Sequence, residues 1–283
     1  MASPISSIEA AAQAIEAGKH VLVEKPLGVS VEECAGLLEM KQRTAPTLIF
    51  RVGCMKRFDP GVAFARRFID QEMGTRLALK AWYCDSTSRY VETANVQPLI
   101  VSSAKARRPE GDPKANWESY YLLGHGCHLV DTARFLGGEI TCVNARVVQK
   151  YDAYCWFVAT DFADGSVGHL DLTLAVRMGW HEGFQIYGEF GSVLGKLFNP
   201  WYLKSAEVEC FSLRDGQFKR VLGEDGHFYR LQVESFADAV RGEDSFPAAG
   251  IEDGLAAVRV LRAIQLSVQK GEPVAVANVT GAI

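Results

Sequence analysis

Two helix-start signals, each followed by a short and almost wholly apolar run, occupy the beginning of the chain. Ser6-Ser7-Ile8-Glu9 reads as a capping box that opens an alanine-rich helix as far as Ala17, where Gly18 stops it. Residues 20–24 then read as a strand with no polar face, the kind buried on both sides in a parallel sheet. The cycle repeats at once. Ser30-Val31-Glu32-Glu33 is a second capping box, its helix reaching about Arg43, and residues 47–52 form a second apolar strand. Helix, strand, helix, strand with short connections is half of a doubly wound sheet.

The strand, Gly-rich turn and helix that normally precede such a half have no counterpart before Met1-Ala2-Ser3-Pro4. Two parallel strands are also too few to be stable alone. The expectation is that either the rest of this domain supports them or the gene product starts further upstream.

Beyond Asp59 the pattern changes. Asp59-Pro60 starts a helix over 59–72 that Gly74 ends, and residues 76–83 form a strand. An irregular stretch over 85–117 carries Pro98, Arg107, Arg108, Pro109, Gly111 and Pro113, and loops of this length usually cover a site. A helix over 118–136 ends at Gly137-Gly138. Alternating strands follow over 141–149, 154–162, 167–176, 183–189, 193–198 and 207–213, with Asp164-Gly165 and Asp215-Gly216 as turns, which predicts an antiparallel sheet. Helices over 228–240 and 251–270 are expected to pack on one face of it. The fold class is thus α/β plus α+β: a partial parallel sheet over 1–58, then a larger domain over 59–283 with a mostly antiparallel open sheet.

Composition excludes several classes. With 48% hydrophobic and 23% charged residues the chain is globular rather than disordered. A net charge of -4, with Lys105, Arg107 and Arg108 the one basic cluster, argues against nucleic acid as a partner. The seven cysteines are odd in number, widely spaced and without a CxxC pair, as expected of reduced thiols in a cytoplasmic protein with no metal site. No apolar run approaches the roughly 18 residues that span a bilayer, so no membrane association is expected.

Several residues could carry chemistry. Glu24-Lys25-Pro26 stands at the carboxyl end of a parallel strand, where open α/β sheets place ligands. An ammonium there can steady an alkoxide or protonate a carbonyl, although a surface lysine just past a strand is an even alternative. Pro26 is a candidate for a cis bond. His125, His128 and Asp131 are spaced three apart in the helix over 118–136, which puts them on one face. Imidazoles there suit removal of a hydroxyl proton; satisfied helix histidines are the competing reading. Arg57 either starts the next helix or faces a ligand. Arg107 and Arg108 are candidates for an anionic substrate group. Trp117, Trp180, Trp201 and Tyr187 could stack on a sugar ring, with burial in the core as the default.

Ala17-Gly18-Lys19-His20-Val21-Leu22-Val23-Glu24-Lys25-Pro26-Leu27 resembles the signature of the glucose-fructose oxidoreductase, inositol dehydrogenase and MocA-type family. Arg57-Phe58-Asp59-Pro60, Gly126-Cys127-His128-Leu129-Val130-Asp131 and Glu234-Ser235-Phe236-Ala237-Asp238-Ala239 fit it in the same order. The resemblance implies a Rossmann-like N-terminal domain, a C-terminal α/β domain and hydride transfer between NAD or NADP and a carbohydrate hydroxyl. It also implies a homodimer or homotetramer formed through the outer face of the C-terminal sheet. Lys25 resembles the family's catalytic lysine and His128 its catalytic histidine, with His125 as a further proton-transfer candidate. Ser3, Pro4, Glu24, Lys25, Pro26 and Arg57 are the expected cofactor contacts. Lys25, Trp117, His125, His128 and Arg107 are the expected substrate contacts.

Three departures stand out. The Gly-rich loop has no counterpart; Ser3-Pro4-Ile5 and Ile8 stand where the family often has Thr-Pro-Asn and a histidine; and Gly124 stands where it often has an aspartate. A truncated, non-catalytic sugar-binding or regulatory protein is the alternative that the missing loop favours. A lyase or epimerase with transient redox is a third.

Overall fold

The computed structural model describes residues 4–88, 114–223, 226–243 and 246–283, with side chains from residue 7 onward. Arg107, Arg108 and Ser3 lie outside the described residues.

Helix α1 (Pro4–Glu16) leads to strand β1 (Val21–Val23), helix α2 (Val31–Thr44) and strand β2 (Phe50–Val52). The expected capping box at Ser6 is not the start of α1, because the helix already begins at Pro4, a residue suited to the first turn. The second box is present. Ser30 Oγ accepts from Glu33 N at 3.2 Å, and the Glu33 carboxylate accepts from Ser30 N at 3.0 Å. β1 and β2 pair in parallel with Val21 opposite Phe50 and Val23 opposite Val52, so both strands are shorter than their apolar runs.

A 3-10 turn, Met55–Phe58, joins this unit to helix α3 (Pro60–Gln71). Asp59 caps α3 by accepting from Gly61 N at 2.8 Å, and the same carboxylate accepts from Ala206 N at 3.0 Å, fastening the helix start to a distant loop. Burial pushes the Asp59 carboxyl up to about 6 against the pull of these N–H donors.

Strand β3 (Arg76–Ser86) begins the second sheet. Helix α4 (Trp117–Tyr121), a π-helical segment (Leu122–Gly126) and helix α5 (Cys127–Gly137) follow the undescribed stretch. Strands β4 (Ile140–Lys150), β5 (Ala153–Phe162), β6 (Val167–Val176), β7 (His181–Gly188), β8 (Gly191–Leu197), β9 (Glu207–Ser212), β10 (Gln217–Arg220) and β11 (Val274–Ala275) complete it. The sheet order is β10-β9-β8-β7-β3-β6-β5-β4-β11, and every pairing but β3 with β6 is antiparallel. β10 was not expected: Gln217 to Arg220 lack an apolar face, and three of the four are exposed at the sheet's edge.

Helix α3 covers β8 and β9, α5 covers β3, and helix α7 (Ile251–Lys270) covers β4. The core lies between these helices and the inner face, with Trp156, Phe184, Leu170, Leu174 and Ile186 fully enclosed. Helix α6 (Phe228–Arg241) departs from expectation. It packs on the 3-10 turn, where Phe228 joins Met55 and Phe58 in a small separate cluster, instead of on the sheet. Helix α7 also reaches the first unit. A Cβ at Gly254 would lie 2.9 Å from Leu27 and 3.1 Å from Val52, so only glycine permits this approach. Near the end of the chain, Val31 N donates to Gly281 O and Ile283 N donates to Val29 O, which ties residues 281–283 to the start of α2.

Candidate active site

The carboxyl end of β1 runs into Glu24-Lys25-Pro26, and the Lys25–Pro26 bond is cis. Lys25 leaves the small sheet and crosses to the helix over the large one: its Nζ donates to Gly124 O at 2.9 Å. This one bond joins the expected lysine to the segment that carries the expected histidines.

That segment is not the uniform helix its periodicity suggested. Leu122–Gly126 is wound as a π-helix, with α-helix on either side. Single-turn π insertions recur at functional sites because they re-aim side chains without breaking the rod. Of the expected trio His125, His128 and Asp131, the two imidazoles both reach Tyr83, at 5.7 and 6.1 Å between ring centroids. Asp131 turns instead to Arg57, with Arg57 Nη2 at 2.6 Å from its Oδ1.

Arg57, expected as a cofactor contact, is engaged within the protein. It is 5% exposed and donates to both oxygens of Asp131, to Asp253 at 2.9 Å and to Pro247 O. Burial favours its neutral form, but Asp131 and Asp253 outweigh that and hold it charged. Its work is to lock the 3-10 turn against α5 and α7.

The two histidines flank one tyrosine. Tyr83, at the end of β3, stacks on His128 with ring centroids 6.1 Å apart and planes 1° from parallel. Its hydroxyl lies 3.2 Å from His125 Nδ1, and Asp85 Oδ2 lies 3.5 Å from the same nitrogen. The other side of the cluster was not foreseen. Lys56 Nζ sits 4.3 Å from the Tyr83 ring centroid and pairs with Glu182 Oε1, while Trp180 Nε1 donates to Glu182 Oε2 at 3.2 Å. Burial lowers the Lys56 ammonium and raises the Glu182 carboxyl, so both are drawn toward neutrality despite their contact. His128 keeps partial access to solvent, yet its proton affinity falls well below the usual histidine range. Enclosure by protein is the first cause, followed by Lys25, Lys56 and His125 nearby.

The remaining expected residues are more dispersed. Glu24 is exposed and lies near enough to Tyr229 to help raise its hydroxyl to about 12, after burial. Pro4 is the first residue of α1. Trp117 is 42% exposed at the rim and reaches the centre through aromatic neighbours, with Tyr121 at 5.4 Å from Trp117 and His125 at 5.9 Å from Tyr121. Trp201 stacks on Tyr229, and Tyr187 lies exposed on the far face of the sheet. Among the described residues no group of three or more His, Cys, Asp or Glu side chains is arranged to hold a metal ion.

Lys56, Tyr83, Asp85 and Glu182 were missed, although a signal was available for two of them. Asp85 follows Leu79, Ala81 and Tyr83 on the inward phase of β3, and Glu182 precedes Phe184 and Ile186 on the inward phase of β7. A carboxylate in the apolar register of a strand is costly unless it has a partner, and so marks a site.

Comparison with known proteins places this geometry. Residues 6–51 match the NAD-binding Rossmann fold, and residues 112–276 the C-terminal alpha/beta domain, of the oxidoreductase family named for glucose-fructose oxidoreductase, inositol dehydrogenase and MocA. The chain belongs to this family and is an oxidoreductase with an NAD-binding domain. It is 25% identical over 274 residues to the uncharacterized oxidoreductase YrbE of Bacillus subtilis, covering 93% of this chain and 73% of that protein. It is 26% identical over 284 residues to scyllo-inositol 2-dehydrogenase (NAD(+)) of the same organism, covering 91% and 74%. Levoglucosan dehydrogenase in complex with NADH and levoglucosan shares the fold with a TM-score of 0.74 at 22% identity, over 96% of this chain and 78% of that one.

Proposed function

We propose that the protein interconverts a hydroxyl and a carbonyl on a sugar, polyol or inositol with NAD or NADP, using Lys25 and His128 at the reacting oxygen. The observation that carries this reading is the 2.9 Å bond from Lys25 Nζ to Gly124 O, which sets an ammonium beside the histidine-bearing segment. The names of the relatives, an inositol dehydrogenase and a levoglucosan dehydrogenase, support the substrate class.

Glu24, Lys25, Pro26 and Gly53 would hold the nicotinamide end of the cofactor at the strand ends. They fit it: Gly53 lies so close to Val23 O and Glu24 that a Cβ would meet them at 3.3 and 3.4 Å, and its bareness keeps the shelf clear. When bound, the nicotinamide supplies the acceptor or donor of hydride. The protein's own part is proton transfer and charge. Lys25 Nζ, resting on Gly124 O, can turn one of its three hydrogens to the substrate oxygen and steady the negative charge that grows there. The His128 imidazole, kept neutral by burial and its cationic neighbours, offers a free nitrogen lone pair to the hydroxyl proton. In the reverse direction an imidazolium in such a place is a strong acid toward a carbonyl.

The division near Phe58 separates cofactor binding from substrate binding. The sheet face opposite the helices exposes Phe157, Val167, Tyr187 and Leu194, which supports assembly as a homodimer or homotetramer. Among the described residues no helix is long and apolar enough to cross a membrane; we place the enzyme in the cytoplasm, acting on a small carbohydrate and not on nucleic acid. Fluorescence titration with NADH and NADPH, followed by a panel of inositols, aldoses and anhydrosugars, tests the reading. Saturable binding and reduction of NAD or NADP by one of them is the expected result; absence of both would overturn it.

A further inference from the structure

With the dehydrogenase reading above as its basis, we propose that the substrate is an anionic polyol, a hydroxy acid whose carboxylate pairs with Lys25 in the open space beside Gly124. Three buried cations on the elements that form the site are each met by a carboxylate of the protein. Arg57 is paired with Asp131 and Asp253, Arg134 with Glu139, and Lys56 with Glu182. Lys25 differs. Its Nζ rests on the Gly124 carbonyl at 2.9 Å, a neutral dipole, and among the described residues no carboxylate is in ion-pair reach of it. Glu24, next to it in the chain, is directed toward Gly53 and Tyr229 instead. A charge held partly out of water is costly until a partner of opposite sign arrives.

The same place is open to a ligand. Lys25, Gly124 and His128 are each partly exposed, whereas the intervening His125, Gly126 and Cys127 are buried. A Cβ built at Gly124 meets nothing within 4 Å, so a small planar group can lie over this backbone beside the ammonium. An ammonium has three hydrogens. With one on Gly124 O, a hydroxy acid can take the other two, one through the reacting oxygen and one through a carboxylate on a neighbouring carbon. Such a charge-assisted bond is roughly twice as strong as a neutral one, and it fixes which hydroxyl faces His128. One ammonium suits a carboxylate better than a phosphate dianion, which draws on more donors. The bound anion also offsets part of the field of Lys25 and Lys56, which adds to burial in holding down the proton affinity of His128. In the oxidative direction the hydroxyl proton passes to His128. The O–H electron pair closes the carbonyl as the C–H pair leaves as hydride to the bound nicotinamide, and the product is a keto acid.

The test compares compounds that differ chiefly in charge: shikimate against its methyl ester, gluconate against sorbitol, and glucuronate against glucose and glucose 6-phosphate. Steady-state kinetics and calorimetric binding are measured on the full chain. At least one acid is expected to exceed its neutral partner about tenfold or more in kcat/KM, mainly through KM, with the advantage shrinking as ionic strength rises. Gly124→Asp, which sets a protein carboxylate in the same space, should raise KM for that acid about tenfold or more. Gly124→Asn, equal in size and uncharged, should keep most of the preference. Neutral partners that match or beat every acid, a preference for glucose 6-phosphate over glucuronate, or an acid preference unmoved by Gly124→Asp would each overturn the inference while the dehydrogenase reading stands. Should Gly124→Asp not fold, binding of the acid to Lys25→Met decides: lost affinity supports the pairing and retained affinity overturns it. A wild-type protein that bound the acid through Lys25, yet reduced neither NAD nor NADP with any of these compounds, would sink the dehydrogenase reading and leave the carboxylate site. One that neither bound nor oxidised any of them would end both.

Discussion

Lys25 and His128 enter the same cluster from different elements, one from just past the tip of a three-residue strand and the other from a helix over the second sheet. Their contributions should be separable. Lys25→Ala removes the only hydrogen-bond donor that reaches from β1 to Gly124 among the described residues, and His128→Ala removes an imidazole stacked on Tyr83. Each is expected to lower kcat by about 10²-fold or more while NADH binding persists, measured by stopped-flow and fluorescence. A carboxylate can also be put back where the family often carries one. A Cβ at Gly124 meets nothing within 4 Å, so Gly124→Asp should fold with an unchanged melting temperature. Its charge would lie near Lys25 and offset part of the cationic surroundings of His128. The acid limb of the rate profile should then shift upward by about one pH unit, and a shift downward would contradict the electrostatic account of His128.

At the scale of elements, two buried polar knots hold the site in register. Asp59 joins the start of α3 to Ala206, and Asp59→Ala, which strips the cap and leaves buried N–H groups unsatisfied, should cost about 2–3 kcal/mol in chemical denaturation. The pH dependence has a definite sign. The folded-state carboxyl is raised to about 6 from an ordinary 3.8, so this group's share of stability is greatest below about 3.8 and is lost as pH rises through about 6. The melting temperature should fall across that window less steeply in Asp59→Asn. The Arg57 knot is tighter. Asp131→Ala leaves a guanidinium at 5% exposure with only Asp253 as its remaining carboxylate, a change expected to cost about 3–5 kcal/mol in the same assay.

These elements also show what local pattern could and could not tell. The capping box at Ser30, the Asp59-Pro60 start and the alternation of β5 and β6 were readable because each is fixed by neighbours within a few residues. The π segment was not, since a ladder of apolar residues looks the same whether one turn holds an extra residue or not. Lys25 and His128 were singled out by family resemblance. Their neighbours depend on pairing between strands far apart in the chain: Tyr83 meets Glu182 because β3 and β7 are antiparallel neighbours with these two residues opposite each other. The partners of Arg57 were hidden for the same reason, as both of its carboxylates come from helices later in the sequence.

For the molecule as a whole, the helices cover one face of the nine-stranded sheet and leave the other with exposed apolar positions. Phe157 and Val167, at 51% and 53% exposure on β5 and β6, are suitable probes. The double substitution Phe157→Asp and Val167→Asp should convert the proposed assembly to monomers by light scattering, with the fold retained. A wild-type protein that is already monomeric at micromolar concentration would end the proposal.

The backbone bonds between Val29, Val31 and residues 281–283 join two segments that lie far apart in the sequence. As the polypeptide is synthesised on the ribosome, the loop after Lys25 waits for that clasp until residues 281–283 have emerged. Helix α7, which rests on Leu27, comes late as well. A nascent chain therefore carries its lysine long before it has a finished pocket around it, and a prematurely released fragment would lack the closure that holds the loop beyond that lysine in place.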